Sequence, residues 1–443
     1  MKQYDTIAAI ATAPGVGGVG IIRISGNKAL DICYSLTQIK PSPRKAIFSQ
    51  FKFQNELIDE GIILYFPNPN SFTGEDVIEF QAHGGPVILN MLLQAVIKSG
   101  ARMALAGEFS QRAFLNDKID LVQAEAIADL ISSSTEQAAK AAQRSLQGDF
   151  SNRVSDLLKQ LISLRVWIEA AIDFPEEEID FLADKQQQDK MKNLHNSLKD
   201  LLTQAKQGEL LNKGVVIGII GQPNVGKSSL LNLFTRNETA IVSDIAGTTR
   251  DVVKENINIH GVPVTIIDTA GIHITEDKIE QEGIKRAKNI LEQADIILKV
   301  IDCSRDIDTQ KNSLSNLPFN KKTLVIFNKS DLINKPLNLN QNELHLSAKT
   351  SEGFKQLEQR ILHMIHNESD AETSFSARSR HISQLEKTLE CLSIAEHNFI
   401  NNQAGELVAE DLRQAQESLS QITGNFSSDD LLGEIFSSFC IGK

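Results

Sequence analysis

The chain is most constrained by an ordered series of short motifs spread over residues 221–349. The first, Gly221-Gln222-Pro223-Asn224-Val225-Gly226-Lys227-Ser228, fits the phosphate-loop pattern G-x-x-x-x-G-K-[ST]. It follows the apolar run 214–220, which predicts a buried strand. It opens a predicted helix over 228–234, beginning Ser228-Ser229. Such a loop curls its backbone around a phosphate with the N–H groups turned inward. Lys227 adds a point charge for the β and γ phosphates, and Ser228 a hydroxyl for Mg²⁺. Ile266-Ile267-Asp268-Thr269-Ala270-Gly271 predicts a strand running into D-x-x-G, with Asp268 reaching Mg²⁺ through water and the Gly271 N–H sensing a γ-phosphate. A further apolar strand, 324–327, delivers Asn328-Lys329-Ser330-Asp331. A carboxylate at Asp331 accepts hydrogen bonds from the N1–H and 2-amino groups of guanine, which adenine does not offer. A buried polar group left unpaired by the wrong base discriminates strongly. Ser347-Ala348-Lys349 follows another short apolar segment and closes over the base. Each motif stands at the C-terminal edge of a predicted strand, where open α/β sheets bind ligands. The series predicts a doubly wound domain that binds GTP and Mg²⁺.

How such a domain would hydrolyse GTP is less plain. Ile272 follows the D-T-A-G motif where Ras-like GTPases carry a glutamine that orients the attacking water. His273, Glu276, Glu280 and Glu282 are the nearby polar candidates for that role. Upstream lies Ile241-Val242-Ser243-Asp244-Ile245-Ala246-Gly247-Thr248-Thr249-Arg250-Asp251. One threonine of this segment is expected to complete the Mg²⁺ shell, and Thr249 is the choice. Arg250 reads better as solvent-facing or paired with Asp251 than as an arginine finger.

A length of 443 residues predicts about three domains. The 41% hydrophobic and 23% charged content is that of a globular protein. A formal charge of −12 argues against a broad basic face for nucleic acid. Cys33, Cys303, Cys391 and Cys440 lie far apart without C-x-x-C spacing, which fits a reducing cytoplasm rather than zinc or disulfides. No apolar run reaches membrane-spanning length, and residues 1–5 lead directly into a strand-like segment, so no signal or transit peptide is expected.

Residues 1–118 read as β-rich, with strands at 7–11, 20–24, 60–66 and 76–81, a turn over 14–18 and a helix over 87–99. Helical periodicity begins near Leu121 and runs on through Leu157, Leu161 and Ile168 until Pro175 breaks it. The polar run 184–192 reads as a solvated helix face or a loop. A closing helix is expected over 354–365, and helices return over 379–419. The expected organisation is an N-terminal domain 1–118, a helical segment 119–212, an inserted nucleotide domain 213–370 and a second helical segment 371–443.

Four further stretches are distinctive: Ala11 to Gly26 (A-T-A-P-G-V-G-G-V-G-I-I-R-I-S-G), Phe72 to Pro86 (F-T-G-E-D-V-I-E-F-Q-A-H-G-G-P), residues 107–131 starting G-E-F-S-Q-R-A-F, and the terminal F-S-S-F-C-I-G-K. With the nucleotide motifs, they resemble the MnmE (TrmE) family of tRNA-modification GTPases over the whole chain. The resemblance implies a multidomain α/β protein with a β-rich, dimerising, tetrahydrofolate-binding N-terminal domain, a discontinuous helical domain and an inserted Ras-like P-loop domain. It implies a homodimer working with an MnmG (GidA)-type flavoprotein in a heterotetramer or larger complex. That complex installs a carboxymethylaminomethyl or aminomethyl group at C5 of the tRNA wobble uridine, with a 5-formyl or 5,10-methylene folate as one-carbon source. The resemblance also implies K⁺-dependent hydrolysis. It puts K⁺ on Asn224 and on oxygens of the 243–248 loop, namely Ser243, Ile245 and Thr248, and the catalytic glutamate at Glu280, with Glu282 as the alternative register. The folate positions fall on Arg23, Glu79, Lys118 and Lys443. Cys440 matches a near-terminal family cysteine and is expected to be a buried, small apolar residue. The competing reading is a GTP-dependent RNA- or ribosome-binding switch without chemistry of its own on RNA. Against it stand the acidic charge and the lack of an evident G-x-x-G RNA loop. A folate-binding scaffold with a vestigial GTPase is disfavoured by the intact nucleotide motifs.

Overall fold

The computed structural model describes residues 5–173, 185–237, 253–268, 293–313, 322–333, 339–365, 375–402, 405–424, 429–437 and 439–442. The chain forms two compact units, one of Met1–Ala128, Leu146–Leu194 and Lys387–Lys443, the other of Asp129–Ser145 and His195–Glu386.

The first unit carries a sheet of β1 (Ile7–Ile10), β2 (Gly17–Ser25), β3 (Ile47–Phe53), β4 (Glu56–Phe66), β5 (Val77–Gly84) and β6 (Arg102–Met103). Its order is β3-β4-β5-β2-β1-β6, with only the β1–β6 pairing parallel. Helix Ala29–Thr37 buries Ala29, Ile32, Cys33 and Leu36, and helix Pro86–Lys98 buries Leu89, Leu92, Leu93 and Val96. That i, i+3, i+4, i+7 spacing makes one apolar stripe per helix. Both stripes pack with Ile22, Ile24, Phe51, Ile63 and Phe80 in a single core. The expected turn over 14–18 ends earlier than predicted, because Gly17 and Gly18 already belong to β2.

In the same unit, helix Asp149–Asp173 packs along helix Gly405–Thr423, and Arg165 Nη1 donates to Gln416 Oε1 at 2.6 Å. The helices expected over 379–419 are Ser379–His397 and Gly405–Thr423, separated by a π-helical turn at Asn398–Asn402. The polar run near 184–192 begins the long helix Lys185–Lys213. One face of it buries Gln187 and Met191, so it is not purely solvated. The chain end packs on the N-terminal part: Leu432, Ile435, Phe436 and Phe439 bury with Leu121 and Ala124, and Ile441 bridges Ala106. Cys440 is exposed, contrary to the expectation of burial; its neighbours Phe436 and Phe439 take the buried positions.

The second unit carries β7 (Val215–Ile220), β8 (Val253–Ile259), β9 (Val262–Asp268), β10 (Ile296–Asp302), β11 (Lys322–Asn328) and β12 (Glu343–His345), in the order β12-β11-β10-β7-β9-β8. Every pairing is parallel except β8–β9. Val215, Ile217 and Ile219 of β7 enter one core, while Val216 and Ile220 enter a core on the other face. Burial on both faces explains the unbroken apolar run in the sequence. Helix Phe354–Ile365 buries Phe354, Leu357, Ile361 and Ile365, and Phe354 meets Phe234 edge-on at 5.1 Å. The protein is thus a mixed α/β chain with a doubly wound sheet in its second unit. Among the described residues, no helix is long and apolar enough to cross a membrane.

Candidate functional site

In the second unit the predicted motifs converge on the C-terminal edge of the parallel strands. The phosphate loop follows β7 and runs into helix Lys227–Asn237. Gly226 has φ +97°, and a Cβ there would lie 2.2 Å from Asn328 Nδ2, so only glycine lets the two loops meet. Lys227 is 7% exposed, and its ammonium donates to the carbonyls of Gly221 and Gln222, each at 2.9 Å. Asn224 is exposed with a left-handed backbone, φ 64°.

Asn328, at the end of β11, is 2% exposed and joins two loops. Its Nδ2 donates to the Val225 carbonyl at 2.8 Å, and its Oδ1 accepts from the Ala348 N–H at 3.0 Å. The Lys329 ammonium donates to the Asn224 carbonyl at 2.9 Å and to Asp302 Oδ2 at 2.6 Å. The Ser330 N–H donates to the Leu346 carbonyl at 3.2 Å, and the Ser347 hydroxyl to Asp331 Oδ1 at 2.7 Å. These bonds hold the phosphate loop, the N-K-S-D turn and the S-A-K loop as one braced surface. Between them lies a cleft of about 540 Å³ whose lining includes Gly226, Ser229, Asn328, Asp331, Ala348 and Lys349.

Asp302 is a member of this bracing that sequence reasoning missed. It ends β10, the strand between β7 and β11, and its side chain is fully buried. Burial works to raise its carboxyl pKa. The Lys329 ammonium, with the Ser304 hydroxyl and N–H, outweighs burial and holds the pKa below the usual carboxylate value. The available signal was the largely apolar strand Ile296–Asp302, interrupted by Lys299 and ending in an acid.

Ser228 is exposed in the first turn of its helix. Asp268 ends β9, where its backbone pairs with Ile219 and Val253. The segment Ser243, Asp244, Ile245, Ala246, Gly247, Thr248 and Thr249 lies outside the described residues, as do Thr269, Ala270, Gly271, Glu280 and Lys443.

A second cavity, of about 430 Å³, lies in the first unit and gathers Arg23, Glu79 and Lys118. Register places Arg23 of β2 opposite Glu79 of β5, and Arg23 Nε donates to Glu79 Oε1 at 2.9 Å. The Arg23 guanidinium also donates to the Gly442 carbonyl at 3.4 Å and sits 5.8 Å from the Phe109 ring centre. Gly442 has φ +98°, and a Cβ there would lie 2.3 Å from the Ile10 carbonyl, so only glycine lets the backbone lie this close. The Lys118 ammonium donates to the Pro69 carbonyl at 3.0 Å.

A family model described as GTP-binding protein TrmE N-terminus matches residues 6–118, and one described as MnmE helical domain matches residues 121–440. The chain belongs to the MnmE family. It is 51% identical over 447 residues to the tRNA modification GTPase MnmE of Coxiella burnetii, with 99% of each chain covered. It is 52% identical over 445 residues to that of Hydrogenovibrio crunogenus, again with 99% of each covered. For Saccharophagus degradans the figure is 52% over 453 residues, covering 100% of this chain and 99% of the relative. Among solved structures, an Era variant of Aquifex aeolicus bound to GDP·AlF₄⁻ is 27% identical with a TM-score of 0.28, covering 40% of this chain and 66% of that one. At that score the likeness adds nothing to the strand order. Both braced sites described above thus belong to an MnmE-family chain, and each lies wholly within one compact unit.

Proposed function

We propose that the protein is a GTP hydrolase acting in tRNA modification. The observation that carries the reading is the Asn328 bracing, which leaves Asp331 facing the same cleft as the phosphate loop. In this reading Asp331 takes the N1–H and 2-amino group of guanine, Ser347 orients its carboxylate, and Ala348 and Lys349 cover the base. The phosphate-loop N–H groups and Lys227 hold the phosphates, the ammonium leaving its two loop carbonyls. Ser228 is an exposed oxygen donor of the kind a hard divalent cation takes, so with Thr249 and, through water, Asp268 it would hold Mg²⁺. The left-handed backbone of Asn224, its carbonyl bound by Lys329, leaves the side-chain amide as the group offered to K⁺, joined by oxygens of Ser243, Ile245 and Thr248. Cations held by these residues would supply positive charge against the negative charge that develops during hydrolysis. Glu280 orients the attacking water through a second water, since a solvated carboxylate is a weak base at neutral pH.

The Arg23–Glu79 pair fits a pterin ring: Glu79 accepts from its 2-amino and ring N–H groups, while Arg23 fixes the carboxylate. Lys118 and the terminal Lys443 complete a tetrahydrofolate site, which supplies a one-carbon unit. In this reading the protein works in the cytoplasm as a homodimer with an MnmG-type flavoprotein, adding a (carboxymethyl)aminomethyl group to C5 of the wobble uridine. Mass analysis of wobble nucleosides from cells lacking the protein tests this. Loss of C5-modified uridine supports it. Intact modification with a ribosome-assembly defect would favour the RNA-binding switch instead.

A further inference from the structure

The cavity of the first unit holds one cation that the folate reading does not use. Arg44 lines it beside Arg23, Glu79 and Lys118. Three cationic side chains face one carboxylate there, in a chain whose formal net charge is −12. Glu79 is already matched by Arg23, so the surplus positive charge rests on Arg44 and Lys118. Among the described residues neither Arg44 nor Lys118 has a carboxylate partner, which suits the cavity to an anionic ligand.

Arg44 is also held in place, unlike an ordinary surface arginine. Its backbone is left-handed, φ 56°, and its N–H donates to the Tyr65 carbonyl of β4 at 2.8 Å. Its guanidinium stacks 5.7 Å from the Phe66 ring centre, and Nη2 donates to the Asn70 carbonyl at 2.5 Å. Lys118 reaches the preceding carbonyl, Pro69, so both surplus cations are tied to the same loop. A guanidinium has five N–H donors in a planar fork, and one hydrogen bond leaves the fork able to take a carboxylate. Holding it beforehand lowers the ordering cost of binding.

We propose that Arg44 is a ligand-binding residue of this cavity, holding a carboxylate of the ligand's glutamyl tail and so setting a preference for the free acid. This rests on the folate reading given above. In that arrangement Arg23 and Glu79 read the ring, Arg44 reads the tail carboxylate, and Lys118 meets carbonyl oxygens of the ligand.

The test is isothermal calorimetry on the full chain with 5-formyltetrahydrofolate and with its dimethyl ester, which differ only in the tail charges. The wild type binds the free acid about tenfold more tightly than the ester, the ratio a single charge-assisted pair supplies. Arg44→Ala removes that preference and leaves ester binding within about twofold of the wild type. Arg44→Lys, which keeps the charge and loses the fork, restores part of it. Arg44 is exposed, so thermal unfolding of the variants should match the wild type. An Arg44→Ala protein that still prefers the free acid overturns the proposal, as does a wild type that binds both forms equally. A wild type that binds neither form defeats the folate reading itself, a result distinct from both.

Discussion

Replacing Asn328 with alanine removes one side chain that holds two loops of the nucleotide cleft. Asn328 is 2% exposed, and its amide donates to Val225, itself fully buried, and accepts from Ala348. Each lost hydrogen bond is worth about 0.5–1.5 kcal/mol net, and a buried carbonyl left without a donor costs about 1–3 kcal/mol. The expected total is about 2–4 kcal/mol, shared between folding of the second unit and closure of the cleft. If half falls on closure, affinity for guanine nucleotide drops by a factor of roughly 5–30, since 1.4 kcal/mol is tenfold. Titration with a fluorescent GDP analogue reads the affinity, and thermal unfolding with and without GDP reads the stability. A variant within twofold of the wild type in affinity and with an unchanged melting temperature would show that the brace is incidental.

Four more outcomes follow, two for the first unit and two for the nucleotide site. Asp5 and Glu108 are held below their ordinary pKa values of 3.8 and 4.5: burial works to raise each, but bonds to Arg102 and Arg112 outweigh it. Their stabilisation is therefore full above about pH 4.5 and is lost as pH falls through the depressed folded values. Unfolding of the wild type followed from pH 7 to 3 should show that acid loss, and a midpoint unchanged at pH 3 would contradict it. Arg112→Met, which leaves Asp5 and Glu108 to Arg102 alone and takes the arginine from half-buried Glu75, should cost about 1–3 kcal/mol at pH 7 in denaturant titration. GTP turnover should be several-fold faster in K⁺ than in Na⁺ at equal ionic strength; equal rates would remove Asn224 from the cation site. Glu280→Ala should slow turnover by roughly 10²-fold with nucleotide affinity nearly unchanged, and a normal rate would move the role to Glu282 or elsewhere.

The nucleotide motifs were legible because phosphate and guanine chemistry demand fixed residue types at fixed points of a strand–loop–helix unit. The predicted strand 324–327 is Lys322–Asn328, and the helix expected over 354–365 is Phe354–Ile365, its stripe of Phe354, Leu357, Ile361 and Ile365 buried as periodicity requires. Asp302 was not legible, because its part depends on the parallel register that sets it opposite Asn328. In the first unit β3 was missed because its alternation is blurred: Ser49 is buried while Phe48 is 67% exposed. The pairing of Arg23 with Glu79 was likewise set by strand register, and no local pattern announces it. Arg44 carries no local signal either, since its neighbours in the cavity come from β2, β4, β5, the 66–72 loop and Lys118.

The central claim is that Asp331, oriented by Ser347 and framed by the Asn328 brace, selects guanine. Competition between GTP and ATP for the purified full chain, read by displacement of a fluorescent guanine nucleotide, tests it most directly. GTP should displace the probe at concentrations on the order of 10⁴-fold lower than ATP, the discrimination expected when a polar site meets a base lacking its partners. Displacement by ATP at concentrations comparable to GTP would contradict the account.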